Sequence, residues 1–217
     1  MANTIPPAEW EIWCGLGGVN PDIYGSLASV VASSTAMNTL ANSAPAVNYM
    51  IATSIIGLAV IGSATAVTAL DASSPVTIPS MTSNTAPSGV ASASATFSSA
   101  YEPYKAMDAV TTDDGWAGAS TPIGWIQYRF PSAIWVYKFQ IKRWDGTAID
   151  DLVIKCSNNG IDFIDASSVF VLGAVADLTL ETLKPTIGIT SRYLYWRLYH
   201  GSYTSLERLR MLQIYGK

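Results

Sequence analysis

Lysine and arginine are missing from the first 104 residues of this chain, and all twelve of its basic side chains fall between Lys105 and Lys217. The acidic side chains over the same 104 residues are Glu9, Glu11, Asp22, Asp71 and Glu102, and from Ile23 to Leu70 no residue is charged. Only 13% of the 217 residues are charged, against the usual quarter, while 49% are hydrophobic and the net charge is −4. Nucleic-acid binding runs on Lys and Arg contacts to phosphate, so this balance excludes a nucleic-acid partner. Two halves of such different chemistry read as two structural units.

Cysteine is scarce as well. Cys14 and Cys156 lie one in each half, which makes neither a disulfide framework nor a zinc site. Cys156 falls in the apolar phase of LVIKC and reads as a small buried hydrophobe. The single histidine, His200, cannot build a metal cluster, and no triad, phosphate loop or metalloprotease helix is present. Asp113–Asp114 and Asp150–Asp151 are neighbours on loops, where carboxylates are solvated, and the Gly15–Gly18 run follows no strand. The chain is therefore expected not to be an enzyme and to require no cofactor. A secretory signal is not expected either, because Glu9 and Glu11 stand where a basic n-region would be.

What the first half does contain is a repeat. In rows of ten from Ile23 the chain reads IYGSLASVVA, SSTAMNTLAN, SAPAVNYMIA, TSIIGLAVIG, SATAVTALDA. Ser or Thr opens four of the five rows, and Val30, Leu40, Met50, Val60 and Leu70 fill the eighth place. Ser33–Leu40 and Ser63–Leu70 are near copies thirty residues apart. An internal repeat outranks local propensity as a fold signal, and a Ser or Thr at each row start suits a helix cap. Three readings are open. The first is an α-helical, oligomeric stalk, read as a homotrimer, because an uncharged repeat must bury its surface on sister chains or a partner. The second is a membrane span over the 24 residues Val47–Leu70, which lacks flanking Lys or Arg. The third is a packed helical domain.

Runs such as ASSTAMNTLANSAPAV resemble the alanine-serine-methionine repeats of bacteriophage tail-fibre and appendage proteins, over about Ile23–Ser73. That resemblance implies a segment before the repeats that docks on other virion proteins. Here it is residues 1–24, with Trp10, Ile12, Trp13 and Leu16 as apolar anchors or, alternatively, as a cap on the stalk. A Ser/Thr/Pro-rich stretch then reads as a linker over 74–86.

From Trp125 the pattern changes to period two. Ile126, Tyr128 and Phe130 alternate with polar residues, and so do Trp135, Tyr137, Phe139 and Ile141. These are half-buried antiparallel strands, and further short strands to the C-terminus make the chain mainly β, a sandwich or jelly roll. Trp125, Trp135 and Trp196 read as core. Trp144 shares the phase of Lys138, Gln140 and Lys142 and so points away from the core.

The order PSGVASASATFSSAYEPYKAMDAV, GWIQYRF, SNNGIDFIDA and RYLYWRLYHGSYTSLERLRMLQIYG resembles the discoidin domain, also called the coagulation factor 5/8 C-type domain, over about Pro79–Lys217. No cysteine pair brackets it, which is similar to the bacterial and phage branch of galactose-binding-like modules. The resemblance implies a discoidin-like jelly-roll β-sandwich over 87–217, preceded by the stalk over 25–73. It also implies carbohydrate contacts from loops at one end, placing Trp116, Arg143, Trp144, Asp145, His200 and Tyr203 as ligand-binding candidates. The plainer roles are that Trp116 plugs the barrel end, Trp144 packs on a neighbouring subunit and His200 caps a strand. A structural calcium is implied at Asp108 and Asp113, which otherwise serve as turn formers. The expectation is a virion protein, a short tail fibre or appendage whose head binds host-surface glycans or decorates the particle. The alternative is a membrane-anchored bacterial surface protein that displays the same module.

Overall fold

The computed structural model describes residues 7–110, 115–118, 124–144, 149–174, 179–200 and 208–217. It divides into a helical unit (Met1–Pro75, Gly188–Ser191 and Lys217) and a β unit (Val76–Ile187 and Arg192–Gly216).

Each ten-residue row folds as one short helix. After α1 (Glu9–Leu16) come α2 (Leu27–Ala32), α3 (Ser34–Ala41), α4 (Ala44–Ala52), α5 (Ser54–Gly62) and α6 (Ala64–Ala72). The row-opening residues set the breaks. Ser33, Thr53 and Ser63 adopt extended backbone angles, so each ends one helix and begins the next. The hydroxyls of Ser26, Ser33, Ser43 and Ser63 accept the N–H three residues on, at 3.2, 3.2, 3.4 and 3.2 Å. Such a cap contributes about 1 kcal/mol.

Helices of six to nine residues fall short of the ~12–15 needed to persist alone, so burial holds them. The buried places recur: Ala36, Met37, Leu40 and Ala41 in one row, Ala46, Val47, Met50 and Ile51 in the next, then Ile56, Val60 and Ile61, then Ala66, Val67 and Leu70. α1 packs on α4, α2 on α5 and α3 on α6, so three rows complete one turn of a solenoid. The near copies thirty residues apart are the stacked pair α3 and α6. Two cap hydroxyls also tie successive turns: Ser43 Oγ donates to Leu16 O at 3.1 Å, and Ser63 Oγ to Val31 O at 2.7 Å.

Of the three readings, the rows fold as the third, a packed helical domain, in place of the helical stalk expected over 25–73. The rows make a folded solenoid within one chain, because each Ser or Thr turns the backbone before a long helix can form. Among the described residues no single helix is long and apolar enough to cross a membrane; α4 and α5 together pass on length and composition, but they are bent by 106°. Of the N-terminal anchors, Ile12 and Leu16 are exposed at 39% and 41%, and Trp10 is half-buried. Trp13 is a core residue of the helical unit at 1% exposure, which removes it from any docking surface.

The β unit contains β1 (Val76–Thr77), β2 (Val90–Ala93), β3 (Trp116–Ala117), β4 (Gly124–Ile134), β5 (Val136–Arg143), β6 (Ile149–Ser157), β7 (Ile164–Asp165), β8 (Phe170–Leu172), β9 (Leu180–Leu183), β10 (Tyr193–His200) and β11 (Arg208–Gly216). One sheet has the order β1-β11-β5-β9 with β3 also on β11; the other has β2-β4-β10-β6-β7 with β8 on β6. Every pair is antiparallel. The period-two reading holds along β4 and β5: Ile126, Tyr128, Phe130, Trp135, Tyr137, Phe139 and Ile141 are all buried. Phe139 of one sheet and Trp196 of the other bring their rings to 6.3 Å, closing the sandwich core.

Two details differ from expectation. Trp125 is half-buried rather than core, because it alternates with the inward Ile126. On the outer face the Arg197 guanidinium lies between Trp125 and Phe163, at 3.9 and 3.6 Å from their ring centroids. The segment expected as a linker also takes part in the sandwich. Val76–Thr77 pairs with Tyr215–Gly216, and Ile78 and Met81 are buried at 2% and 1%.

Candidate functional site

β5 ends where β11 begins in one sheet, and β10 ends beside the start of β6 in the other. Leu209 pairs with Arg143 there, and His200 pairs with both Gly124 and Leu152. At this end the chain brings together Trp144, Arg208, Arg210, Tyr101 and Phe97.

Trp144 follows the last residue of β5 and is half-buried, as its outward phase predicts. Its N–H donates to Arg208 O at 3.4 Å. The guanidinium carbons of Arg210 and Arg208 lie 3.9 and 4.8 Å from its ring centroid. Arg208 also lies 5.8 Å from the Tyr101 ring, and Tyr101 meets Phe97 edge-on at 5.8 Å. Phe97 is 57% exposed. The two arginines reach one indole because they alternate with the buried Leu209, while a register shift between Leu209 and Met211 widens the strand locally. Cation–π contact of this kind is worth about 0.5–1 kcal/mol at an exposed site. It holds the indole in place, and Trp144 stays half-buried. A half-open indole beside guanidinium donors can take a ring that has one apolar face and a rim of hydroxyls.

The other candidates turn out to support this end from beneath. Trp116 is fully buried, and its Nε1 donates to Ala95 O at 3.2 Å. It plugs the sandwich. The cause is Gly115, whose φ of +60° and lack of a Cβ let β3 approach β11; a Cβ there would come within 2.2 Å of Leu209 O. Arg143 is 2% exposed, and its Nε and Nη2 donate to the two carboxylate oxygens of Glu181 at 2.6 and 2.9 Å, with Nη2 also donating to Gly173 O at 2.8 Å. This bidentate pair joins β5 to β9 and leaves Arg143 no reach to a ligand. His200 is 1% exposed at the end of β10, inside the sheet and not on a loop. Three candidates fall away because each is buried inside the sandwich. Asp145 and Tyr203 lie outside the described residues, as does Asp113.

Asp108 acts as a turn former. Its Oδ1 accepts the Val110 N–H at 2.8 Å and its carbonyl accepts Ser80 Oγ at 2.6 Å. Among the described residues no group of three His, Cys, Asp or Glu side chains could hold a metal ion.

Sequence reasoning missed Phe97, Tyr101, Arg208 and Arg210. The signal for the arginines was available in RLRML, where they alternate with Leu209. Phe97 and Tyr101 flank and form the 3₁₀ turn Ser99–Tyr101, far from Trp144 in sequence, so only the fold brings them there.

No family model matches the chain, and no curated protein is similar to it. Solved structures are similar to the β unit. Chitosan-binding module 1 from a chitosanase/glucanase of Paenibacillus sp. IK-5 is 20% identical, covers 61% of this chain and 98% of its own, and has a TM-score of 0.48. A family 32 carbohydrate-binding module from C. perfringens, in complex with galactose, is 14% identical over 58% of this chain and 93% of that one, with a TM-score of 0.46. A candidate α-L-fucosidase from Bacteroides thetaiotaomicron is 13% identical over 64% of this chain, with a TM-score of 0.50; the match spans 29% of that longer protein. At such identities the last likeness shows a shared β-sandwich fold.

Proposed function

We propose that the β unit is a carbohydrate-binding module and that the protein binds glycan without turning it over. The observation that carries this reading is Trp144, half-open between Arg208 and Arg210 at the end of the sandwich with Tyr101 and Phe97 beside it. A sugar ring stacks its C–H face on the indole, and the guanidinium N–H groups donate to ring hydroxyls.

The finer reading makes this a bacteriophage virion protein, a short tail fibre or appendage that meets host-surface glycans. Its support is the likeness of the Ile23–Ser73 rows to phage appendage repeats. The exposed Ile12 and Leu16 of α1 are the residues offered to other virion proteins. A homotrimer would turn weak single-site binding into avidity.

The test is binding of the full chain to chitosan oligomers, galactose-terminated glycans and neutral controls, by calorimetry, beside Trp144→Ala and Arg210→Gln. Trp144→Ala is expected to weaken binding at least tenfold with its circular dichroism unchanged. Undiminished affinity in that variant would move the site elsewhere. Light scattering of the full chain tests the trimer, and a monomer at micromolar concentration would remove it.

A further inference from the structure

The outer face of the β1-β11-β5-β9 sheet carries a cleft of about 230 Å³ whose lining includes none of the Trp144 cluster. Its floor and walls are apolar, with Ile78, Met107 and Met211 among them. Its polar groups come from a cross-strand pair, Gln140 of β5 directly opposite Gln213 of β11. Each glutamine has one end of its amide held. Gln140 Oε1 accepts the Tyr215 hydroxyl at 2.8 Å, and Gln213 Nε2 donates to Ile78 O at 2.9 Å. These bonds orient both amides and turn the opposite ends, Nε2 of Gln140 and Oε1 of Gln213, toward further partners. The pair therefore presents one donor and one acceptor from adjacent strands, about 5 Å apart at the backbone.

A pair of vicinal hydroxyls answers this arrangement, because each hydroxyl both donates and accepts. Ser80 adds a hydroxyl at the rim, fixed by its bond to Asp108 O. None of the lining residues is charged. The nearby Lys138 ammonium is set over the Tyr215 ring at 4.0 Å. The methionine walls are polarisable and adjust to a ligand's apolar face. Ala109, also on the rim, has a φ of +66°, a left-handed backbone that a non-glycine residue holds at a cost and that concentrates at ligand sites. The volume is below the ~300–1,000 Å³ of pockets for drug-sized ligands, which limits the occupant to about one ring.

We propose that this cleft is a second binding site, for a single neutral sugar residue held through a vicinal diol by Gln140 and Gln213. The choice of ligand class rests on the glycan reading of the same sandwich. The two sites share no lining residue, so one chain would engage a glycan-coated surface at two points, and the apparent affinity for dense glycan would exceed that of either site.

Methionine methyl NMR on the full chain tests this directly, because Met107 and Met211 line the cleft while Met37 and Met50 are core residues of the helical unit. The probes are D-galactose, D-glucose, N-acetyl-D-glucosamine and sodium glucuronate, each titrated to millimolar concentration. A neutral sugar is expected to shift the Met107 and Met211 methyls saturably in the parent protein and equally in Trp144→Ala. Gln140→Met and Gln213→Met, each measured separately, are expected to weaken that response at least tenfold while leaving Met37 and Met50 in place. Unmoved Met107 and Met211 resonances with every sugar overturn the proposal, as does a response that survives both glutamine substitutions or that glucuronate matches. If Trp144 proves dispensable for glycan while the methyls respond, the Trp144 reading fails and the cleft stands. If binding needs Trp144 and the methyls are silent, the reverse holds.

Discussion

The helical unit buries Ala36, Ala46, Ile56 and Ala66 at the same place in four successive rows, with Met37, Val47, Ile61 and Val67 close by; the sandwich buries Trp116, Trp135, Trp196, Tyr128, Tyr137, Phe130 and Phe139. Small residues let short helices approach closely, and their order comes from caps and repetition. Two sheets instead leave a gap that large rings must fill. The charge pattern follows the same division. The helical rows satisfy their helix ends with serine hydroxyls and use no cation, while the sandwich uses Arg and Lys over aromatic rings and in the Arg143–Glu181 pair. A repeat built from one small unit needs the same residue at each corner. A sandwich needs each large side chain only once.

Substitutions in the two cores should sharpen this contrast most. Trp196→Ala is expected to destabilise the sandwich by about 3–5 kcal/mol, and Met50→Ala the helical unit by about 2–5 kcal/mol, read by urea denaturation. A Trp196→Ala loss below that of a helical alanine-for-valine change would break the comparison. Arg143→Met should cost about 3–5 kcal/mol, because it strands the Glu181 carboxylate at 15% exposure. The double variant Arg143→Met/Glu181→Leu should recover most of it.

Smaller effects belong to the corners. Ser63→Ala is expected to cost about 1–2 kcal/mol, since it removes both the cap to Ala66 and the bond to Val31 O. Thr53 makes no side-chain cap bond, so Thr53→Ala should cost at most a few tenths of that range. Equal losses at the two corners would show that the hydroxyls do not set the turns. The smallest effect is expected in alkali. Burial pushes the Cys156 thiol up to about 12, with Asp165 adding to the shift. A folded pKa above the unfolded value means that the unfolded chain releases its proton first, so stability is full below about 9 and falls as pH rises toward about 12. Cys156→Ala should flatten that part of the alkaline slope in urea titrations; an unchanged slope would assign it to other groups.

Much of this was legible along the chain. The period-two alternation of β4 and β5 named seven core residues, because a strand pointing alternate side chains into a core can do so only in that phase. The thirty-residue copies were visible, but their meaning as one solenoid turn was not, since a repeat length says nothing about which copies stack. Trp144 was legible from its outward phase. Trp116 was misread for the opposite reason: its polar neighbours hid the inward turn that Gly115 makes possible. The outward phase of Arg208 and Arg210 was legible too, but their meeting with Trp144 and Tyr101 was not, because Tyr101 and Arg208 are over a hundred residues apart and only strand order joins them.

By itself the sequence determined the two-part division, the row-by-row helix starts and the inward faces of the long strands. All of these are local rules of charge, capping and periodicity that act within a few residues. Only the tertiary structure decided that the rows close into a solenoid, that Arg143, Trp116 and His200 are internal, and that Trp144 is framed by two arginines. Each of those outcomes depends on which distant strands or helices become neighbours. That choice is made by the whole core at once, through the large apolar area it removes from water.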